Sequence, residues 1–393
     1  MFHGWLPLFP VLLTLALPVR AAVVPATDLE SPYTADSRAH AINSAGQIAI
    51  EGSFEFFPYG GAAVLLPPHP GGTVMWLECV EEDCFQEAIG PEDIAPDGRV
   101  VGTHYRLRVT WPATWSPTGA LTDLVFLYGT SVIPPNAAEG INSSGTIVGT
   151  LQEVDGPRYP TRWEDAQASP ETLPNDGPYL GPFPKAINDA GIIVGHTDGA
   201  TPYAAIWIPN GGYQLSSLPL LPSGSHARAK DINDAGQVVG TADDGTAFET
   251  AVLWEPLGGG VYLAVALPRL AAGQDCEATG INDIGHAVGR CTDGVGVQRG
   301  IVWSVVAPAV LHELEPLPGA TELTVRDVND QGVAVGWSWS STSDWDTAVL
   351  WAYSTEPVPA LPGWGSLLLA SVLLWTSVRI ALARSRSKPP GFG

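Results

Sequence analysis

The sequence predicts an all-β protein: a seven-bladed β-propeller whose ring is closed by an N-terminal strand, with a transmembrane helix after it at the C-terminus. Three observations carry the propeller. One turn motif occurs seven times, its start-to-start spacings are 52, 47, 46, 45, 49 and 47 residues, and a Trp ends a later strand in each later copy. Composition agrees. Of 393 residues, 44 are Gly and 36 Pro, which break helices, while 45% hydrophobic against 15% charged residues exclude a disordered chain.

The turn copies are Ala41-Ile-Asn-Ser-Ala-Gly46, Asp93-Ile-Ala-Pro-Asp-Gly98, Gly140-Ile-Asn-Ser-Ser-Gly145, Ala186-Ile-Asn-Asp-Ala-Gly191, Asp231-Ile-Asn-Asp-Ala-Gly236, Gly280-Ile-Asn-Asp-Ile-Gly285 and Asp327-Val-Asn-Asp-Gln-Gly332. Asn, then Asp, Ser or Pro, a tolerant position and Gly make a type I turn with a left-handed Gly, closing a hairpin with a bulge. Pro96 suits the second position of that turn. Six copies continue to a second Gly (Gly102, Gly149, Gly195, Gly240, Gly289, Gly336), and in the first the Gly comes two residues later, at Gly52. One carboxylate per turn falls short of the six to eight oxygens calcium takes.

A third strand then ends in Trp115, Trp163, Trp207, Trp254, Trp303 or Trp351, with Trp76 as the counterpart in the first copy. A fourth apolar stretch follows in most copies, as at Leu121 to Leu124 and Leu215 to Leu218. Four short strands per unit are one propeller blade, and the repeated Trp packs blade on blade. The last copy runs past Trp351 with no fourth strand. Val23 to Leu29 can supply it, because Ala26-Thr-Asp-Leu29 reads like Leu121-Thr-Asp-Leu124.

The ends divide the chain into a signal peptide over 1–21, the propeller over 22–356 and a tail over 357–393. Leu6 to Pro18 form a short apolar h-region with small residues after it. The tail is Val358 to Gly365, then apolar Ser366 to Val378, then the cations Arg384, Arg386 and Lys388, the order of a membrane stop. Five of the 18 cations lie in these ends, leaving 13 against 41 acidic residues between them, a net of about −28. Such a surface repels nucleic acid.

Cys79 with Cys84 and Cys276 with Cys291 form two local pairs, as expected of disulfides in an exported chain. No zincin, nucleophile-elbow, P-loop or dinucleotide motif is present, so the sequence implies no catalytic residue, metal or cofactor. His104 and His196 lie at or beside the position after the second Gly, a placement that would let them face one another across a channel. Lys185 and Lys230 are the only lysines in the fold, and both precede a turn motif. In the seventh unit Trp337, Trp339 and Trp345 alternate with polar residues, suited either to stacking on sugar rings or to filling one face of a strand.

Two resemblances follow from these residues. The units resemble the HAF-type extracellular repeat, Ile-Asn-Asp-x-Gly-x-x-Val-Gly, best at Ile187 to Gly195, Ile232 to Gly240 and Ile281 to Gly289. The tail resembles the IPTL-CTERM type of sorting signal, a relative of PEP-CTERM: Pro359, Leu361, Trp364 and Gly365 match, and Val358 stands for the usual Ile. The first implies an extracellular propeller. The second implies an exosortase-like membrane protease as partner, an anchor in the membrane before processing, and the cell surface or exterior of a Gram-negative bacterium. The expected function is a non-enzymatic binding or structural module; the alternative is a lectin or an enzyme acting on envelope polysaccharide.

Overall fold

The turn motif folds as its residue types dictate. In the first copy the Gly46 amide donates to the Asn43 carbonyl (3.0 Å), and Asn43 Oδ1 accepts from the Ala45 and Gln47 amides (3.0 Å each). Gly46, Gly98, Gly145, Gly191, Gly236, Gly285 and Gly332 all have φ between 76° and 89°, which only Gly adopts without strain. Each turn joins the first and second strands of a blade, and the computed structural model contains seven four-stranded antiparallel sheets. It describes residues 24–29, 36–54, 57–78, 89–106, 109–125, 136–152, 156–176, 181–198, 201–305, 310–340 and 345–353. The signal peptide, the tail with Val358, Pro359, Leu361, Trp364 and Gly365, and the pair Cys79 and Cys84 lie outside these residues. Among the described residues every regular element is a strand.

The first strand of every blade carries a β-bulge. In blade one the register slips between Ala39 and Ala41, leaving His40 as the extra residue. In the next six blades the extra residue is Glu92, Glu139, Lys185, Lys230, Thr279 and Arg326. In the six blades that carry the second Gly, the first-strand backbone beside the bulge lies too close to the second strand for a side chain there. A Cβ at Gly149 would lie 2.0 Å from the Ala137 carbonyl oxygen, and one at Gly240 2.0 Å from that of Arg228. In blade one the register position opposite Ala39 is held by Ile50, and Gly52 lies opposite Ser37.

Among the described residues the seven sheets are separate ladders, and side chains tie the blades together. Asn43 Nδ2 donates to the Ala95 carbonyl of the next blade (3.0 Å). The same bond runs from Asn142 to Asn188 (3.2 Å), Asn188 to Asn233 (3.1 Å), Asn233 to Asn282 (2.9 Å), Asn282 to Asn329 (2.9 Å) and Asn329 back to Asn43 (3.2 Å). Only blade two, with Ala95 in place of Asn, has no donor to pass on. The Asp that follows Asn does similar work. Asp189, Asp234, Asp283 and Asp330 each accept the backbone amide of the preceding blade's turn, at 2.7 to 3.0 Å.

The Trp residues make the outer ties. Trp115, Trp163, Trp207, Trp254, Trp303 and Trp351 are fully buried. Each indole Nε1 donates, at 2.7 to 2.8 Å, to a carbonyl just past the fourth strand of the preceding blade (Glu78, Val125, Pro174, Pro219, Pro268 and Glu315). Trp76 is not the first-blade member of this set. It ends the outer strand Val74–Trp76 and is 48% exposed, while Leu65, paired with Ile48, takes the equivalent position.

The ring closes with the N-terminal strand, as the sequence predicts. Thr27 pairs with Leu350 and Asp28 with Val349, completing the seventh sheet around Glu322–Val328, Val333–Ser340 and Trp345–Ala352. The Leu29 amide donates to the Ala348 carbonyl (3.1 Å) as the Leu124 amide does to that of Pro112 (3.0 Å), and both leucines are buried. Val24 bridges the outer strand of blade six through its amide to Glu313 and its carbonyl to Glu315 (2.9 Å each). The seam between the last and first blades buries Leu29, Val335 and Leu350 against Ile42, Ile48 and Ile50, and adds polar ties, with Arg38 Nε 2.7 Å from Asp346 Oδ2 and the Asp346 amide donating to Asp36 (2.9 Å). In blade six Cys276 and Cys291 lie directly opposite one another and are disulfide-bonded, with a Cα–Cα distance of 4.1 Å.

Leu29→Ala should lower stability by about 2–4 kcal/mol, the cost of a buried Leu truncation, and by as much as Leu124→Ala in chemical denaturation. Equal stability of Leu29→Ala and the parent chain would show that the N-terminal strand is not part of the closed ring.

Candidate functional site

The seven bulge residues meet around the axis. A bulge re-aims a side chain, and here it turns one residue per blade toward the channel. His40, Glu92, Glu139, Lys185, Lys230, Thr279 and Arg326 line a cavity of about 640 Å³, with Glu277, Arg290, Thr324 and Trp337 at its wall. Constant hairpins thus present a variable, mostly charged set of side chains at one mouth.

The mouth is laced with ion pairs. Lys185 Nζ is 2.8 Å from Glu139, Arg326 3.5 Å from Glu92 and Arg290 2.6 Å from Glu277, and the His40 ring Nε2 lies 3.1 Å from a Glu51 oxygen. Although burial pushes it up, His40 and Arg38 hold the Glu51 carboxyl below its ordinary value. Burial, with Glu139 close by, pushes the Glu92 carboxyl up. Burial pushes the Lys230 ammonium down; Glu277 opposes this, and Lys185, Arg326 and Arg228 reinforce it.

Below the mouth sit Asp93, Asp231 and Asp327, each keeping some surface on the lumen while protein surrounds it on every side. In each, Oδ1 accepts the following backbone amide (2.7 to 2.8 Å). Oδ2 accepts an amide of the next blade, from Ile141, Ile281 and Ile42 (2.8 to 2.9 Å). Burial raises all three carboxyls against the pull of these amides; Asp327 reaches about 7, and the charge of Asp327 pushes Asp231 further up.

Two smaller cavities adjoin the mouth. One, about 240 Å³, is lined by Trp337 and Trp339 with Arg290, Gln298, Glu322 and Asp346. The other, about 400 Å³, is lined by Arg228, Lys230, Glu249, Glu277, Arg290 and Gln298 among others. Trp337 and Trp339, both half-buried, share one face of their strand. Arg38 lies 5.7 Å over the Trp337 ring and His40 6.0 Å from it. Trp345 pairs with Ser340 one position before Asp346, the residue opposite Trp339, so it belongs to the other face of the sheet.

The two histidines do not meet across the channel. His104 is buried against Asp123 of its own blade (2.7 Å), and His196 lies in the wall between blades, its Nδ1 3.0 Å from the Ala229 carbonyl. Burial next to Lys230 lowers the His196 ring to about 4.

No protein-family model matches the chain, and no curated protein does. Solved structures do, at the level of fold. A prolyl endopeptidase aligns with a TM-score of 0.54 and 9% identity over 82% of this chain and 51% of its own. A puromycin hydrolase variant aligns at 0.51 and 12% over 87% and 58%. The BP39L lectin from Burkholderia pseudomallei aligns at 0.45 and 10% over 82% and 96%. The chain spans about half the length of the endopeptidase it matches.

The buried aspartates set a pH dependence. An unfolded Asp ionises near 3.8 and folded Asp327 near 7. Between those values the folded chain holds more protons, so this contribution falls as pH rises through the window and is flat above it. His196 acts with the opposite sign, so the measurement is a difference. The stability of the parent chain relative to Asp327→Asn should fall from pH 4 to pH 7 in chemical denaturation series. A difference that rises over this range would contradict a buried, protonated Asp327.

Proposed function

We propose that the chain is a non-enzymatic binding module, exported and displayed on or released from the surface of a Gram-negative bacterium. The observation that carries this reading is the set of seven bulges, which hold the backbone constant and vary only the side chain aimed into the mouth. That is the economy of a recognition surface: rigid elements position the contacts and sequence sets their chemistry.

The extracellular placement rests on the resemblance of the hairpins to HAF-type repeats, on the apolar segment over 1–21 and on the tail. Val358, Pro359, Leu361, Trp364 and Gly365, followed by an apolar stretch and Arg384, Arg386 and Lys388, suit an exosortase-like protease as partner and a membrane anchor before processing. The Cys276–Cys291 bond suits an oxidising compartment. Envelope polysaccharide is the ligand class in view, since half-buried Trp337 and Trp339 offer aromatic faces beside Arg290, Gln298 and Asp346.

Two experiments test the reading. Full chain screened on an array of bacterial glycans and against envelope fractions should retain a ligand, and Thr279→Trp, which fills the mouth and gives up the Thr279 hydroxyl bond to the Val325 carbonyl (2.9 Å), should weaken that ligand about tenfold or more while the chain still unfolds cooperatively. Undiminished binding would move the site elsewhere, and no ligand at all would leave a structural role. Removing residues 357–393 should change the compartment in which the protein accumulates while the propeller still folds; an unfolded truncation product would make the tail part of the domain.

A further inference from the structure

In a chain of net charge −23, the fold's only two lysines stand side by side at the bulges of adjacent blades, and their situations differ. The Lys185 charge is matched by Glu139 at 2.8 Å. Lys230 makes no ion pair among the described residues; Glu277 attracts it from the next blade but lies 2.6 Å from Arg290. Against the attraction of Glu277 stand three like charges that act on Lys230: Lys185, Arg326 and Arg228. Arg228 is held only loosely, 3.7 Å from Glu249. A half-buried ammonium facing like charges is an unfavourable arrangement unless an anion joins it.

The cavities show how such an anion would be carried. Arg290 lines all three. Lys230 lines both the mouth and the 400 Å³ cavity, and Gln298 joins that cavity to the one holding Trp337 and Trp339. The three cavities adjoin one another through these shared residues, with aromatic faces at one end and a cation without an ion pair at the other. Aromatic faces take the apolar face of a sugar ring, amide and carboxylate side chains take its hydroxyls, and an ammonium takes a carboxylate.

Building on the binding-module reading, we infer that the groove running from Trp337 and Trp339 past Arg290 to Lys230 binds an acidic oligosaccharide, with a uronate carboxylate on Lys230. Neighbouring Arg228, held only at 3.7 Å from Glu249, adds attraction. The acidic remainder of the surface repels polyanions in general, so binding requires a carboxylate at this one place.

The test is titration calorimetry of the full chain at low salt with tetragalacturonate and with its methyl ester, which keeps the rings and removes the charges. The acid should bind about tenfold or more tightly than the ester. Lys230→Met should weaken the acid by a similar factor and leave the ester unaffected, while Lys185→Met, whose charge is already matched, changes acid binding by less than about threefold. Lys230→Arg should retain binding and serves if Lys230→Met does not fold. Equal affinity for acid and ester, no binding of the acid, or full binding by Lys230→Met each overturns the inference. If a different ligand then binds and is lost in Thr279→Trp, the module stands without an acidic specificity. If Thr279→Trp binds every ligand as the parent does, the module reading at the mouth fails as well.

Discussion

The bulge in the first strand of each blade is the constraint on which the rest of the molecule depends. In six blades the bulged backbone lies within touching distance of the second strand, where a side chain has no room; at Gly240 a methyl group would lie 2.0 Å from a carbonyl oxygen. Each bulge also turns one side chain toward the axis. The same one-residue insertion creates the lining of the mouth in all seven blades and accompanies the second Gly in six, blade one having Ile50 there.

A propeller has no backbone ladder between blades, and this chain compensates with side-chain to backbone bonds at two radii. Inside, Asn amides and Asp carboxylates pass from turn to turn, which is the use of the Asn-Asp dipeptide that superficially suggests calcium. Outside, indole N–H groups reach the exits of preceding blades, between buried apolar layers. The inner belt is interrupted at Ala95, where the blade has no amide to donate, and the outer one at Leu65.

Charge is distributed against the average. The chain is strongly acidic, yet Lys185, Lys230, Arg290 and Arg326 converge on one mouth with Glu92, Glu139 and Glu277. Most of these charges satisfy each other. Burial raises the carboxyls of Asp93, Asp231 and Asp327 below them and lowers the ammonium of Lys230 above. Lys230, with no ion pair among the described residues, distinguishes the mouth from an ordinary polar surface.

The sequence by itself determined the features encoded by neighbours in the chain. Turn type, blade count and the Cys276–Cys291 pair follow from spacing and from the φ that Gly alone tolerates. The closing strand is legible because Thr27, Asp28 and Leu29 repeat the order of Thr122, Asp123 and Leu124. Where a local rule was stretched, it failed: the first unit is longer than the others, so Trp76 falls on the outer strand and not in the Trp belt. The tertiary structure alone decided which residues face one another. His104 and His196 take up their partners within the blade walls, and Trp345 separates from Trp337 and Trp339 by the alternation of a strand. The seven residues of the mouth have no common chemistry for a motif to record. They become a set only when seven bulges are brought around one axis, because convergence on an axis is a property of the closed ring and not of any one repeat.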